Sequence, residues 1–341
     1  MAQMSGLPVA LLVAGPAGCS PGERPPEDTG PGFSYPLDDV LRFNDVQAVG
    51  THNSYHEETP GNGIPEWDYT HAPLDEQLGA QGVRQFELDI WWDKAGGFDV
   101  YHVPLADQAS NCERLDECLA TIRGWSEANP AHHPILTLLE VKTEFGEDAA
   151  ALLDDLDQAI FAFGGEREVI TPDEVQGDFF SLREAAAEHG WPTLGELRGR
   201  AAFVLHTDAD YRLVYTENDT TTAGRMMFPD AHGDTTIEVC AYSSVNDPMD
   251  TDGIAVALDA GHLVRTRADS DTTEARENDT THRAAALASG ANFVSTDFPV
   301  PHPDTGYVVE MPGGTPSRCN PVTAPAACTP EAVEDPAFIG E

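Results

Sequence analysis

The chain has 341 residues, of which 40% are hydrophobic and 23% are charged, so it is long enough for one large domain or two small ones with a sizeable core. Asp and Glu number 59 against 18 Lys and Arg, which gives a formal net charge of -41. So negative a surface excludes nucleic acid as a partner, and it fits either a saline or calcium-bearing exterior or simply an acidic proteome.

The first 19 residues predict an export signal. A short apolar run at residues 7–14 leads into small residues and then Cys19, which resembles a bacterial lipoprotein cleavage site. No basic residue precedes the run and Pro16 stands where leucine is usual, so plain secretion is the alternative. Residues 20–40, rich in proline, glycine and acids, predict a flexible tether. We therefore expect a secreted or lipid-anchored protein on the bacterial cell exterior, because no other stretch approaches the ~18 apolar residues of a membrane span.

The remaining cysteines agree with an exported protein. Cys112 and Cys118 are close in sequence, as are Cys319 and Cys328, and both pairs lie in polar segments. Two local disulfides are therefore predicted, and Cys240 is interpreted as a buried free thiol. None of these cysteines has the CxxC spacing of a zinc site.

Short apolar runs alternate with helical patterns along most of the chain. Strands are predicted at Val46–His52, Val83–Trp92, Pro134–Lys142, Glu168–Thr171, Ala201–His206, Thr236–Ala241, His262–Thr266 and Asn292–Asp297. Helices are predicted at Pro73–Gln81, Glu113–Asn129, Glu147–Phe163, Leu182–Glu188, Asp252–Ala260 and Thr280–Ser289. This alternation predicts an α/β fold, a (β/α)₈ TIM barrel over residues 41–310, with an irregular C-terminal extension at 311–341 packed on it. A doubly wound sheet would look similar, but no glycine-rich phosphate fingerprint follows the first strand.

Oxygen-bearing side chains fall at or near the ends of the first three predicted strands. Glu87 and Asp89 are two residues apart and so face the same side of their strand, while Asn53 and Glu140 lie at the ends of two others. Like-charged carboxylates at a barrel mouth need a cation. Three carboxylates and an amide without a thiolate predict Ca²⁺ or Mg²⁺ rather than zinc. The alternative is a buried carboxylate network neutralised by an arginine such as Arg84.

Two of the 12 histidines lie beside this cluster. His52 directly precedes Asn53, and His102 follows the second strand, so both suit metal-assisted phosphoryl chemistry. Lys142, one of only two lysines, follows Glu140 by two residues, which suits contact with a phosphate. Four other histidines lack this setting and are interpreted as structural: His56, His71, His132 and His133.

Taken together, these motifs resemble the catalytic domain of calcium-dependent phosphoinositide-specific phospholipases C. The motifs are His52-Asn53-Ser54-Tyr55, Glu87-Leu88-Asp89, Tyr101-His102 and Leu139-Glu140. The chain is most similar to the secreted bacterial members, and residues 264–269, 288–297, 246–248 and 318–321 match that group too. The resemblance runs from about residue 44 to 328 and implies the phosphodiesterase type of TIM barrel.

The resemblance implies Ca²⁺, in preference to Mg²⁺, as the cofactor. Its ligands would be Asn53, Glu87, Asp89 and Glu140. His52 or a carboxylate ligand would take the proton of the inositol 2-hydroxyl, and His102 would protonate the departing diacylglycerol oxygen. Lys142 and Arg267 are candidates for phosphate or inositol contacts, and Asp297 for orienting a pocket group or binding a hydroxyl. The product would be an inositol phosphate, either cyclic or opened by water.

The expected partner is phospholipid at a membrane surface, and the protein is expected to be monomeric, with no protein partner implied. The chain lacks the accessory lipid-binding modules of the eukaryotic enzymes, so barrel-rim aromatics such as Trp67, Tyr69 and Trp92, or the lipid tether, would engage the membrane. One alternative is a glycerophosphodiester phosphodiesterase, but its first motif is His-Arg where this chain has His52-Asn53. The other alternative is a non-catalytic calcium-binding surface protein.

Overall fold

The computed structural model describes Met1 and residues 35–61, 63–314 and 316–338. The predicted signal peptide, the lipidation of Cys19 and most of the tether therefore lie outside the described residues. Residues 35–341 form one compact unit. Asp38, near the end of the predicted tether, pairs with Arg198 at 2.6 Å. Among the described residues, no helix combines the length and apolar content that crossing a bilayer requires.

The described strands and helices alternate along the chain. The strands are β1 (Val46–Thr51), β2 (Gln85–Asp93), β3 (Gly97–Val100), β4 (Ile135–Val141), β5 (Val169–Ile170), β6 (Ala201–His206), β7 (Phe228–Pro229), β8 (Tyr242–Ser244), β9 (Leu263–Arg267), β10 (Phe293–Thr296) and β11 (Arg318–Cys319). The helices are α1 (Leu74–Gly79), α2 (Leu115–Ala128), α3 (Ala149–Gly164), α4 (Pro172–Gln176), α5 (Leu182–Glu188), α6 (Leu194–Leu197), α7 (Ala209–Tyr215), α8 (Thr251–Asp259), α9 (Thr273–Glu277), α10 (Thr281–Ala288) and α11 (Pro330–Val333). All six predicted helices are confirmed.

Eight parallel strands close into a barrel. Around the ring the order is β1, β2, β4, β6, β7, β8, β9 and β10, which returns to β1. The seam between β7 and β8 is a parallel bridge of Asp230 with Tyr242. The predicted TIM-barrel fold is therefore confirmed.

Two of the predicted strands differ from the structure. The predicted strand Glu168–Thr171 is reduced to β5, which pairs only with the first residues of β6 and lies outside the ring. The predicted strand Thr236–Ala241 is wrong, because these residues form turns. Ile237, Val239 and Cys240 pack instead in a small separate cluster with Ala231. The places in the ring are taken by β7 and β8, neither of which was predicted.

Alternation along the strands separates two hydrophobic cores. On β4, Leu136 and Leu138 belong to the core that also contains residues of β6, β7, β8, β9 and β10. Ile135 and Leu139 belong to the core that packs against α2 and α3. Side chains two residues apart on a strand face the same way, so Glu140 continues the inward row of Leu136 and Leu138 toward the mouth of the barrel.

The C-terminal segment is joined to the start of the barrel. β11 pairs antiparallel with the first residues of β1. Further along, the buried Glu334 carboxylate pairs with the buried Arg84 guanidinium at 3.1 Å. The two predicted disulfides, Cys112–Cys118 and Cys319–Cys328, are both present, and Cys240 is a buried free thiol as expected.

Candidate active site

The predicted ligands lie together where β1, β2 and β4 end. Asp89 is in register with Glu140 on the neighbouring strand. The Ser54 amide donates to the Glu87 carbonyl at 2.8 Å, and the Ser54 hydroxyl accepts from the Glu87 amide at 2.8 Å. These bonds hold the chain after β1 against β2, and Asn53 makes the turn with a left-handed φ of 43°, a conformation that asparagine tolerates better than most residues.

Several oxygens of this cluster are buried without a hydrogen-bond donor. Within the described part of the chain, the side-chain oxygen of Asn53 and Oδ1 of Asp89 have no hydrogen-bond partner, and Oδ2 of Asp89 has only the Lys142 ammonium, 3.2 Å away. Burial, and then the charge of Glu140, raise the pKa of Asp89 well above its usual range. Buried oxygens left without donors are costly, and a hard divalent cation would satisfy them. The residues present therefore fit a Ca²⁺ ion.

Two basic side chains neutralise part of the cluster. Burial opposes ionisation of Glu87, but the adjacent charge of Arg265 lowers its pKa, because the two side chains form a buried ion pair. Lys142 lies 2.5 Å from Glu140 and 3.2 Å from Asp89, and these two carboxylates raise its pKa despite burial. An arginine does neutralise part of the carboxylate network, as the alternative interpretation expected, but it is Arg265. Arg84, the arginine given there as the example, precedes β2 and pairs with Glu334 at the opposite end of the strand.

His52 is held by residues at or just after the ends of the last two barrel strands, β9 and β10. Its Nδ1 lies 2.8 Å from Asp297 Oδ1, and Arg267 Nη1 lies 3.4 Å from its Nε2. Burial, and then the charge of Arg267, lower the pKa of His52 well below its usual value. The imidazole is therefore neutral at neutral pH, with Nδ1–H donated to Asp297 and an unprotonated Nε2 that accepts a long hydrogen bond from Arg267.

His102 lies on the loop after β3 and has its own carboxylate. Its Nδ1 is 2.9 Å from Asp107 Oδ2, and the same oxygen lies 2.9 Å from His56 Nε2. Trp67 packs edge-on against the His102 ring with centroids 5.4 Å apart. Burial lowers the pKa of His102, and the hydrogen bond to Asp107 partly offsets that change. Asp107 thus fixes the ring orientation and leaves Nε2 to face a reactant.

The structure brings all nine predicted site residues to one mouth, and it adds residues that the sequence reasoning missed. His206 ends β6 in register with Glu140, and its Nδ1 lies 2.7 Å from Asp230. Its position at the end of the predicted strand Ala201–His206 was a usable signal. Arg265 lay in a segment already matched to the family. Asp107 carried no sequence signal because its role depends on the path of a loop, and Asp230 carried none because it follows a strand of only two residues.

The sequence of the chain matches a known protein family. The sequence profile of the family described as "Phosphoinositide phospholipase C, Ca2+-dependent" matches residues 41–98 and 94–321. A search of curated proteins found no match.

Solved structures of bacterial enzymes share the fold. A calcium-dependent phosphoinositol-specific phospholipase C from a Gram-negative Pseudomonas sp., in its apo form, is 22% identical with a TM-score of 0.56, and the match covers 78% of this chain and 93% of that one. A Ca²⁺-dependent phosphatidylinositol-specific phospholipase C from Streptomyces antibioticus is 20% identical with a TM-score of 0.57, covering 76% and 96%. The match to the family profile spans most of the sequence, and the chain belongs to the Ca²⁺-dependent phosphoinositide phospholipase C family.

Proposed function

We propose that this protein is a Ca²⁺-dependent phosphodiesterase that cleaves phosphatidylinositol, or a related phospholipid, to diacylglycerol and an inositol phosphate. The observation that carries the proposal is a pair of histidines, His52 and His102, each oriented by its own carboxylate beside a buried cluster of acids. Two separately oriented imidazoles suit a reaction that needs one base and one acid. A non-catalytic calcium-binding protein would need neither.

His52 acts as the base in this proposal. Its neutral Nε2 takes the proton of the inositol 2-hydroxyl while that oxygen forms a bond to phosphorus. Ca²⁺ held by Asn53, Glu87, Asp89 and Glu140 would lower the pKa of that hydroxyl and neutralise charge on a phosphate oxygen. Arg267, beside His52, donates to the phosphate as negative charge develops there.

His102 acts as the acid. The acid is the protonated ring, which Asp107 favours against burial: Nδ1–H is donated to Asp107, and Nε2–H delivers its proton to the glycerol oxygen as the bond from phosphorus to that oxygen breaks. The first product is then a cyclic inositol phosphate and diacylglycerol. Water attacking the cyclic ester opens it by the same two residues with their roles exchanged. Lys142, next to Glu140, is a further contact for the phosphate or the inositol ring, and Asp297 serves by orienting His52.

The substrate is presented at a membrane surface. Trp67, which packs on His102, places an aromatic side chain at the side where the diacylglycerol would leave. We propose that the protein works as a monomer, secreted or lipid-anchored on the cell exterior, where calcium is abundant. At low salt its net charge of -41 repels anionic lipid, so calcium or salt assists the approach.

The test is hydrolysis of phosphatidylinositol and of glycerophosphoinositol, with calcium and with a chelator, by the wild type and by His52→Ala. We expect calcium-dependent cleavage of phosphatidylinositol that falls by about 10²–10⁴-fold in the variant. His189→Ala, at an exposed histidine, is the matched control. Cleavage of glycerophosphoinositol alone would indicate a glycerophosphodiester phosphodiesterase. Tight calcium binding without activity on either substrate would contradict any enzymatic assignment.

A further inference from the structure

His206 lies inside the barrel mouth with one ring nitrogen committed and the other facing the acids. We propose that His206 is a nitrogen ligand of the divalent cation, oriented by Asp230, and that the site therefore also binds first-row transition metals. The proposal rests on the metal-dependent site proposed above. It adds to that site a ligand of a different chemical kind from the carboxylates and the amide.

The Nε2 atom of His206 lies close to the carboxylates of the cluster. His206 Nε2 lies 3.9 Å from Glu87 Oε1, too far for a hydrogen bond. One ligand atom from each of Glu87, Glu140 and His206 lies within 4.8 Å of the other two. Two atoms that each lie about 2.0–2.4 Å from one ion are at most about 4.8 Å apart, so these three atoms are close enough to bind the same ion. The His206 side chain is only 11% exposed, so its nitrogen is directed inward.

Asp230 holds His206 in a fixed orientation, because both of its carboxylate oxygens accept hydrogen bonds within the protein. Its Oδ1 accepts from the Ser244 amide at 2.9 Å and from the His232 amide at 2.8 Å, and its Oδ2 accepts from His206 Nδ1 at 2.7 Å. A fully buried carboxylate held in this way fixes the tautomer and the orientation of the ring. Histidines that bind metals nearly always donate their other ring N–H to such a partner.

A nitrogen ligand changes which ions the site prefers. Ca²⁺ and Mg²⁺ are bound mainly by oxygen, whereas the first-row divalent metals also accept imidazole, Mn²⁺ least strongly and later metals such as Co²⁺ more strongly. His206 therefore contributes more to binding of Mn²⁺ or Co²⁺ than to binding of Ca²⁺.

The experiment measures metal binding to the full chain by calorimetry, and it detects nitrogen coordination by the ¹⁴N modulation of bound Mn²⁺ in pulsed electron paramagnetic resonance. We expect the wild type to show histidine-type modulation that changes on ¹⁵N-histidine labelling. His206→Gln should remove the modulation and weaken Mn²⁺ binding by at least tenfold, with a smaller effect on Ca²⁺. Asp230→Asn should weaken Mn²⁺ binding by about 10–100-fold.

His232→Gln is the matched control. The His232 ring neighbours His206, with centroids 5.5 Å apart, and its Nδ1 lies 3.5 Å from Asp230 Oδ2. Its Nε2 donates to the Thr207 carbonyl, away from Glu87 and Glu140, so its loss should leave Mn²⁺ binding unchanged. Equal loss in this variant would place the ion between Asp230 and the two imidazoles and overturn the proposal. The proposal would also be overturned if Mn²⁺ bound to the wild type showed no ¹⁴N modulation, or if the modulation persisted in His206→Gln. None of these measurements depends on lipid hydrolysis, so failure of this proposal can be told apart from failure of the phospholipase assignment. The labelled wild type gives a result even if a variant fails to fold.

Discussion

His52 Nδ1 and Asp297 Oδ1 lie 2.8 Å apart at the point where β1 and β10 end side by side. Thr51 and Thr296 are the last paired residues of these strands, so each partner follows directly from the register of the barrel. The orientation of the proposed base is therefore a property of the sheet, and no mobile loop is needed to maintain it.

Replacing Asp297 tests this relationship. In Asp297→Asn the side-chain amide can either accept from or donate to His52 Nδ1, so it no longer fixes the tautomer in which Nε2 is unprotonated. We therefore expect kcat on phosphatidylinositol to fall by about 10²–10⁴-fold. Calcium affinity should change little, because Asp297 is not among the proposed ligands. Steady-state kinetics and calcium calorimetry measure the two effects, with the exposed Asp259→Asn as control. Equal loss of calcium binding would show that Asp297 serves the metal site.

His102 and His52 should differ in their dependence on the leaving group. A nitrophenyl ester of inositol phosphate has a leaving group that needs no proton, so His102→Ala should lose about 10²–10⁴-fold on phosphatidylinositol and far less on the nitrophenyl ester. Asp107→Asn should follow the same pattern more weakly, and His52→Ala should lose activity on both substrates. Parallel losses of His102→Ala on both substrates would contradict its role as the acid.

Calcium binding should depend on pH through Asp89. Burial, and then Glu140, raise the pKa of this carboxyl well above its usual range, so a cation must displace its proton. Affinity should therefore fall as pH is lowered, and proton release should appear in calorimetry in buffers of different ionisation enthalpy. Asp89→Asn should bind calcium at least about tenfold more weakly, with a flatter pH dependence. Asp252→Asn, on the surface, is the control, and a wild-type affinity that is independent of pH would contradict the expectation.

Folding stability should fall in acid because of buried neutral histidines such as His262. Its Nδ1 lies 2.9 Å from Ser243 Oγ, and burial lowers its pKa to about 4. The unfolded state, with a pKa near 6.5, takes up the proton first, so this contribution is present above pH 6.5 and is lost as pH falls toward 4. His262→Gln should reduce the loss of unfolding free energy between pH 7 and pH 5 by about 2 kcal/mol. Urea unfolding measures it, and the exposed His189→Gln should leave the wild-type pH dependence intact.

The C-terminal segment should be needed for stability through Glu334. Glu334→Ala leaves the Arg84 guanidinium in a fully buried position without its carboxylate, which should cost about 3–5 kcal/mol of unfolding free energy. Glu331→Ala, at an exposed position of α11, is the matched control and should change stability by less than about 0.5 kcal/mol. A small effect of Glu334→Ala in urea unfolding would mean that this pair is dispensable.

Hydrophobic periodicity predicted the parts of the fold that are long enough to show a period. Six strands of the ring and α1, α2, α3, α5, α8 and α10 were predicted for this reason. β7 has two residues, one of them Pro229, and shows no alternation that a strand pattern requires. Residues 236–241 alternate like a strand, but Glu238 pairs with Arg183 outside the barrel. Local pattern alone does not distinguish such a segment from a strand.

The candidate site was largely predictable because barrel strands present their last residues at one mouth. The position of a residue along its strand also explains why the arginine beside the cluster is Arg265 and not Arg84. Arg84 stands at the start of β2 and so faces the far end, whereas Arg265 lies in β9 and reaches Glu87. Asp107 reaches His102 through the geometry of a loop, and Asp230 directly follows β7, a two-residue strand without a recognisable pattern, so the sequence indicated neither role.

Asp230 contributes both to the pairing of two barrel strands and to the orientation of a histidine in the site. It forms the bridge between β7 and β8, and its carboxylate accepts both the Ser244 amide of β8 and the His206 ring. A local opening of this seam, one of the thinnest in the ring, therefore also releases His206. Solvent exchange of the Ser244 amide then reports on the order of the site, and an ion that requires a fixed His206 slows that exchange.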